Sequence, residues 1–212
     1  MNTSRKTGLL RLAHLREVNE ARAEEHDLHR ERFERLKNPD SAPRAVSSFN
    51  LFQTPEPIAD RMAAMADLSG RVLEPSAGLG RLYRAIRCRS SCPVVLVENS
   101  PTCAAELYRE TSGDNQAELV QADFLNCSAA RLGSVDCVVM NPPFKMGRDV
   151  RHITHALTLL QPGGLLVALC FNGSRQNAKL KPLADTWEVL PAGSFKSEGT
   201  RAEVVLMTVR KS

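Results

Sequence analysis

From about residue 55 onward the chain alternates between helical segments and short runs that are apolar throughout. The runs are Arg71 to Leu73, Val94 to Val97, Leu119 to Ala122, Val135 to Met140, Leu165 to Cys170 and Val204 to Val209. Most are rich in valine and leucine without polar alternation, as strands are when helices cover both faces of a parallel sheet. Helices are predicted at Pro55 to Ala66, Leu79 to Arg87, Pro101 to Arg109, Arg148 to Leu160 and Arg175 to Leu183. Pro55 and Pro101 suit a first helical turn, where a missing amide hydrogen costs little. The pattern predicts a doubly wound α/β domain.

The first forty residues read differently. Charges of both signs interleave from residue 5 to residue 37, and Asn38-Pro39-Asp40 makes a stop. A charged helical extension is predicted over 1–40, a Ser/Pro/Ala linker over 41–50 and the α/β domain over 51–212. Leu9, Leu12 and Leu15 form one candidate stripe, Phe33 and Leu36 another, while Ala21 to His29 is polar all round. That pattern fits a solvated helix packed at one end, or an arm that meets a protein partner, a second copy or nucleic acid.

With 212 residues, 42% hydrophobic and 25% charged, the chain is neither disordered nor fibrous. Its longest apolar stretch, Gly163 to Phe171, is too short for a membrane-spanning helix, which needs about 20 residues. The N-terminus has no apolar secretory core, so no membrane role and a cytoplasmic location are expected. Six cysteines form no C-x-x-C pair and are expected as reduced thiols. Cys88 and Cys92 could hold zinc only with distant partners. The pairs His26/His29 and His152/His155 lack cysteine or carboxylate company, so no metal is expected. A net charge of +4 permits an anionic partner.

Candidate chemistry lies just after the apolar runs, because ligands of open α/β sheets bind beyond the carboxyl ends of the strands. The first run leads into Glu74-Pro75-Ser76-Ala77-Gly78-Leu79-Gly80, a strand passing through a glycine turn into a helix. Tyr83 stands where the dinucleotide fingerprint has its third glycine, which disfavours NAD. The second run ends in Glu98, close to the spacing of a carboxylate that grips a ribose diol. The third ends at Asp123-Phe124, a carboxylate that can accept from an adenine amine and a ring that can lie against the base. Taken together these ends predict an adenosine pocket without a pyrophosphate site. The fourth run ends in Asn141-Pro142-Pro143-Phe144, the most specific signal in the chain. Two prolines fix the backbone and leave carbonyls without neighbouring amide donors. The Asn141 side-chain oxygen and the Pro142 carbonyl could both accept from one planar NH2 group, aiming its nitrogen lone pair at an electrophile. Phe144 offers a stacking face.

In these residues the chain from about Phe52 to the C-terminus resembles the class I S-adenosylmethionine-dependent methyltransferases with an N-P-P-F/Y motif. Phe52-Gln53-Thr54-Pro55, the Glu74 to Gly80 turn and Asn141 to Phe144 are most similar to N6-adenine DNA methyltransferases, in their small stand-alone phage, prophage and plasmid forms. The resemblance implies a Rossmann-like fold: a seven-stranded, mostly parallel sheet with an antiparallel last strand, which suits a hairpin of Trp187 to Leu190 and Ala202 to Arg210. It implies S-adenosylmethionine as cofactor and S-adenosylhomocysteine as product. Thr54, Gly78 and Gly80 would hold its methionine part, Glu98 its ribose, and Asp123 and Phe124 its adenine, with Glu74, Pro75, Ser76 and Asn141 also among the cofactor-binding residues. Asn141, Pro142 and Pro143 would orient the target amine, and Phe144 would stack on the target base. Site-specific members carry a further recognition domain, so sequence-specific readout is not expected of this chain alone.

Lys145, Arg148, Arg175, Lys196 and Arg201 fall on loops of the same edge, against Asp149 and Glu198. A net positive rim suits a phosphate backbone, DNA ahead of RNA. Phe195 at the hairpin tip could stack or wedge, or pack under its own loop. The rival readings are methylation of an RNA base or a glutamine side chain, or an inactive cofactor-binding subunit docked through residues 5–37.

Overall fold

A computed structural model describes residues 52–212; the helical extension predicted over 1–40 and the linker over 41–50 lie outside the described residues. Seven strands form one sheet in the order β3-β2-β1-β4-β5-β7-β6. They are β1 (Val72–Glu74), β2 (Val94–Glu98), β3 (Ala117–Gln121), β4 (Val135–Met140), β5 (Leu160–Phe171), β6 (Thr186–Val189) and β7 (Val204–Arg210). The first five run parallel, and β7 is antiparallel to both β5 and β6. The helices are α1 (Glu56–Met65), α2 (Arg81–Arg87), α3 (Pro101–Glu110), α4 (Ala129–Leu132), α5 (Arg148–Leu159) and α6 (Ser174–Lys179). This is the Rossmann-like arrangement the sequence predicts.

Successive strand residues point to opposite faces, and both faces are buried. Val72, Val94, Leu96, Cys137, Val139, Leu165 and Val167 pack with Met62 of α1, Leu82 and Ile86 of α2 and Leu107 of α3. Their neighbours Leu73, Val95, Val97, Val138, Met140, Leu166 and Ala168 pack with Ile153, Ala156 and Leu159 of α5. Two-sided burial explains the apolar runs: each valine or leucine withdrawn from water contributes about 1.5–3 kcal/mol, so polar residues are few in the central strands, such as Glu74 at the end of β1 and Asp136 in β4.

Two boundaries differ from expectation by more than two residues. β5 reaches back to Leu160 because Val135 pairs with Leu160 while Cys137 pairs with Leu165, a bulge that accommodates Gln161 to Gly164. Gly163 turns there at φ 78, and its amide donates to the Lys211 carbonyl at 2.7 Å. The helix predicted over Arg175 to Leu183 is α6 followed by a 3₁₀ turn at Lys181–Leu183, because Pro182 cannot continue the α-helical ladder.

Pro55 caps α1, its carbonyl accepting from the Ile58 and Ala59 amides. Pro101 opens α3 behind Ser100, whose hydroxyl accepts from the Cys103 amide. All six cysteines are free thiols, and burial pushes Cys137 and Cys170 up to about 12, which leaves both inert. No described helix is long and apolar enough to cross a membrane.

Candidate active site

The strand order reverses between β1 and β4, and a cleft of about 450 Å³ opens at the carboxyl ends of the strands there. It gathers residues far apart in sequence: Phe52 to Thr54, Glu74 to Leu79, Glu98, Asp123, Phe124 and Asn141 to Met146, with Arg81, Arg148 and His152. Every strand end singled out from the sequence contributes to this one space.

The turn after β1 is left-handed at Gly78 (φ 57) and Gly80 (φ 76). Both amides are already bonded: Gly78 donates to Glu98 Oε2 at 2.8 Å and Gly80 to the Ala77 carbonyl at 2.9 Å. Gly80 is buried behind the cleft rather than in its wall, where a Cβ would meet Leu107 Cδ2 at 3.0 Å. The expected free helix amides are therefore absent from these two glycines, and polar recognition at this end falls to side chains.

Glu98 also accepts from the Ser100 amide at 2.7 Å, which fixes the carboxylate at the rim with lone pairs to spare. Glu74 is 1% exposed, and Oε2 of its carboxyl has no partner. Burial, together with the neighbouring Glu98 charge, raises its pKa well above the ordinary carboxylate range. An orphaned buried carboxyl beside a second carboxyl fits a ligand that brings a cationic group and hydroxyl donors, as S-adenosylmethionine does.

Asp123 accepts from the Leu125 amide and pairs with Arg148 at 3.3 Å. Both partners are about one-third exposed, so the pair is a weak one that a ligand can open. Arg148 thus lies inside the cleft, bound to an acid, rather than free on the outer rim. Phe124 is 2% exposed, lies in the cleft wall and packs on His152 and His155.

The tetrapeptide after β4 has a defined polarity. Asn141 Nδ2 donates to the Phe52 carbonyl at 3.1 Å, which orients the carboxamide and leaves its oxygen as an acceptor. Pro142 is buried, and Pro143 has no amide to bond a neighbouring carbonyl. Phe144 is half-buried on the cleft side of the α1 and α2 core.

The outer loops meet expectation less well. Phe195 corrects the reading of a substrate-facing ring: it is 1% exposed and packs with Leu190 and Val204 in the core. A ring of that size gains more from burial than from standing at a hairpin tip. Lys196 and Arg201 are exposed on the β6–β7 connection and do not line the cleft. Arg175, also exposed, lies over Gly147.

Two cleft residues escape sequence reading. Arg81 opens α2, its Nε buried without a partner and its guanidinium only 3.7 Å from the exposed Glu56. His152, on α5, is 4% exposed; Nδ1 lies 3.4 Å from Ser76 Oγ and Nε2 has no partner. Burial first, then Arg148, lowers its pKa from 6.5 to about 4, so the ring is neutral near pH 7. Between those two values the unfolded chain takes a proton that the folded one refuses, and stability falls as the pH drops. Glu74 titrates in the opposite sense, its penalty appearing as pH rises above its unfolded value. His152→Gln should remove about 3 kcal/mol of the acid-side loss between pH 7 and 4 in urea unfolding, and identical slopes in the two proteins would refute the assignment.

The sequence matches the family described as Methyltransferase small domain over residues 58–194. A search of curated proteins returns no match. Among solved structures the fold is similar to TrmN from Thermus thermophilus, at 20% identity and a TM-score of 0.59 over 74% of this chain and 49% of that one. It is also similar to an rRNA methylase from Streptococcus thermophilus, at 16% identity and 0.54 over 73% and 95%. An RNA methyltransferase from Salinibacter ruber in complex with S-adenosylhomocysteine matches at 19% identity and 0.52 over 76% and 95%. The chain thus spans about half the length of TrmN.

Proposed function

Since the chain belongs to the methyltransferase small domain family, we propose that it transfers a methyl group from S-adenosylmethionine to the exocyclic amine of a nucleobase, N6 of adenine in DNA. The observation that carries this reading is the Asn141 carboxamide, whose nitrogen is spent on the Phe52 carbonyl so that its oxygen remains to accept. An exocyclic amine is a poor nucleophile because its lone pair is delocalised. Asn141 Oδ1 and the Pro142 carbonyl would take its two hydrogens and favour a pyramidal nitrogen facing the donor. Pro143 keeps that backbone rigid, and Phe144 would stack on the ring that bears the amine.

When bound, the cofactor supplies an electrophilic methyl carbon on a positively charged sulfur. Glu98 would hold the ribose hydroxyls, Asp123 the adenine amine with Phe124 beside the base, and Thr54 and Gly78 the methionine part, with Glu74, Pro75 and Ser76 lining the same cleft. Arg81, a cation at that end with an unsatisfied nitrogen, suits the methionine carboxylate. Arg81→Gln should weaken S-adenosylhomocysteine binding about 10-fold or more in calorimetry and barely change that of 5′-methylthioadenosine, which lacks the carboxylate. Equal losses for both ligands would remove Arg81 from that role.

Lys145 and Arg175 near the cleft, with Lys196 and Arg201 farther out, would meet phosphates. An RNA base is the second reading, supported by structural neighbours named as rRNA and RNA methylating enzymes. Tritiated S-adenosylmethionine incubated with duplex DNA, single-stranded DNA, total RNA and cell protein separates the readings. N6-methyladenine in DNA is the expected product. Label in RNA alone would replace DNA by RNA, and label in protein alone would overturn both.

A further inference from the structure

The loop between Phe144 and α5 holds a residue that the transfer step does not use. Met146 has φ 58 and ψ 25 and is the sole non-glycine residue with positive φ among the described residues. It is also 82% exposed, at the lip of the cleft. A side chain with a Cβ is strained in the left-handed region, and an exposed thioether recovers nothing from packing. The surroundings nevertheless impose the conformation. Gly147 is left-handed too, at φ 68, and buried, with the Arg175 guanidinium so close that a Cβ would lie 2.2 Å from Nη1. Beyond it, Asp149 is 0% exposed and pins the start of α5 to the Phe171 amide at the end of β5.

The result is an apolar, flexible tip held out at the cleft mouth beside two cations. Lys145 precedes it and Arg175 lies against Gly147, which follows it. Phe52, 48% exposed, adds a second apolar group to the same cleft. Cations around an apolar tip complement a charged backbone with stacked bases inside it. A cleft that must receive an adenine from a duplex has to draw it out of the stack, leaving a gap that costs a few kcal/mol unless it is filled.

We infer that Met146 is a wedge that enters the base stack of duplex DNA in the place of the extruded adenine, making paired DNA the preferred substrate. The inference rests on the DNA reading above and goes beyond it by assigning strandedness to a residue. Bases flanking the gap would lie against the thioether, while Lys145 and Arg175 hold the adjoining phosphates.

The test compares native and heat-denatured genomic DNA lacking N6-methyladenine, methylated by the wild type, Met146→Gly and Met146→Leu. Met146→Gly should lower the ratio of duplex to single-strand kcat/KM about tenfold, with most of the wild-type ratio kept in Met146→Leu. Glycine accepts positive φ without strain, so its Tm should equal or exceed that of the wild type, which excludes misfolding as the cause. Label in DNA with an unchanged ratio would overturn the wedge and leave the DNA reading standing. No label in DNA would overturn both.

Discussion

Asn141→Ala should lower methyl transfer by about 10²- to 10³-fold, in the range seen when one preorganised polar group is removed from a transition-state site. The substitution deletes the oxygen that would accept from the target amine. It also releases the Phe52 carbonyl, since Nδ2 bonds to that group at 3.1 Å. S-adenosylhomocysteine affinity measured by calorimetry should change little, because Glu98, Asp123 and Arg81 lie on other elements. Asn141→Asp tests orientation separately from acceptance: it keeps an oxygen but turns a carboxylate toward the Phe52 carbonyl, so the repulsion should leave it nearly as slow as alanine. A rate within twofold of wild type for Asn141→Ala would remove residue 141 from the chemistry.

Asp149→Ala should cost about 3 kcal/mol of stability, because it strands several buried donors at once. Oδ1 accepts from the Val150 amide at 2.9 Å, and Oδ2 from the Phe171 amide at 3.0 Å. Gln176 Nε2 donates to both oxygens, at 3.0 and 2.8 Å, and Gln176 is itself 4% exposed. One carboxylate therefore joins α5, the end of β5 and α6. In a domain of this size the Tm should fall by about 10 °C in a thermal scan. Gln176→Ala in the Asp149→Ala background should add little further loss, since the two share their bonds. A Tm within a degree or two of wild type would show that the cluster contributes nothing net.

How much of this was legible in the sequence follows from how local each determinant is. The strands are readable because valines and leucines buried on both faces dominate the central ones, despite polar residues such as Asp136, and Val135–Met140 is bounded as predicted. Asp123, Glu98 and Asn141 were readable because topology alone puts strand ends at one edge. Tyr83, standing where a dinucleotide site has glycine, is 5% exposed and bonds Asp114 at 2.6 Å; the sequence showed the departure but not the packing that accounts for it. His152 and Arg81 were missed because each sits in an ordinary helical pattern and gains its meaning only from Ser76, Phe124 or Glu56 across the fold. Asp149 reads as a rim residue in the sequence, because a carboxylate set between Arg148 and Arg151 gives no sign that its partners come from β5 and α6. Phe195 failed for the converse reason, since a connecting loop between strands hides how far its middle dips into the core.

The alternation of core membership along each strand has a consequence for how such a protein can change. A single inserted or deleted residue within β1, β2 or β4 would exchange the two faces of that strand, disturbing the α1 to α3 layer and the α5 layer together. The connections beyond the strands carry no such parity. New target preferences are therefore most accessible through insertions near residues 172–173 and 197–201, on either side of the buried Phe195 and α6, where length can vary while the methyl-donor cleft keeps its shape.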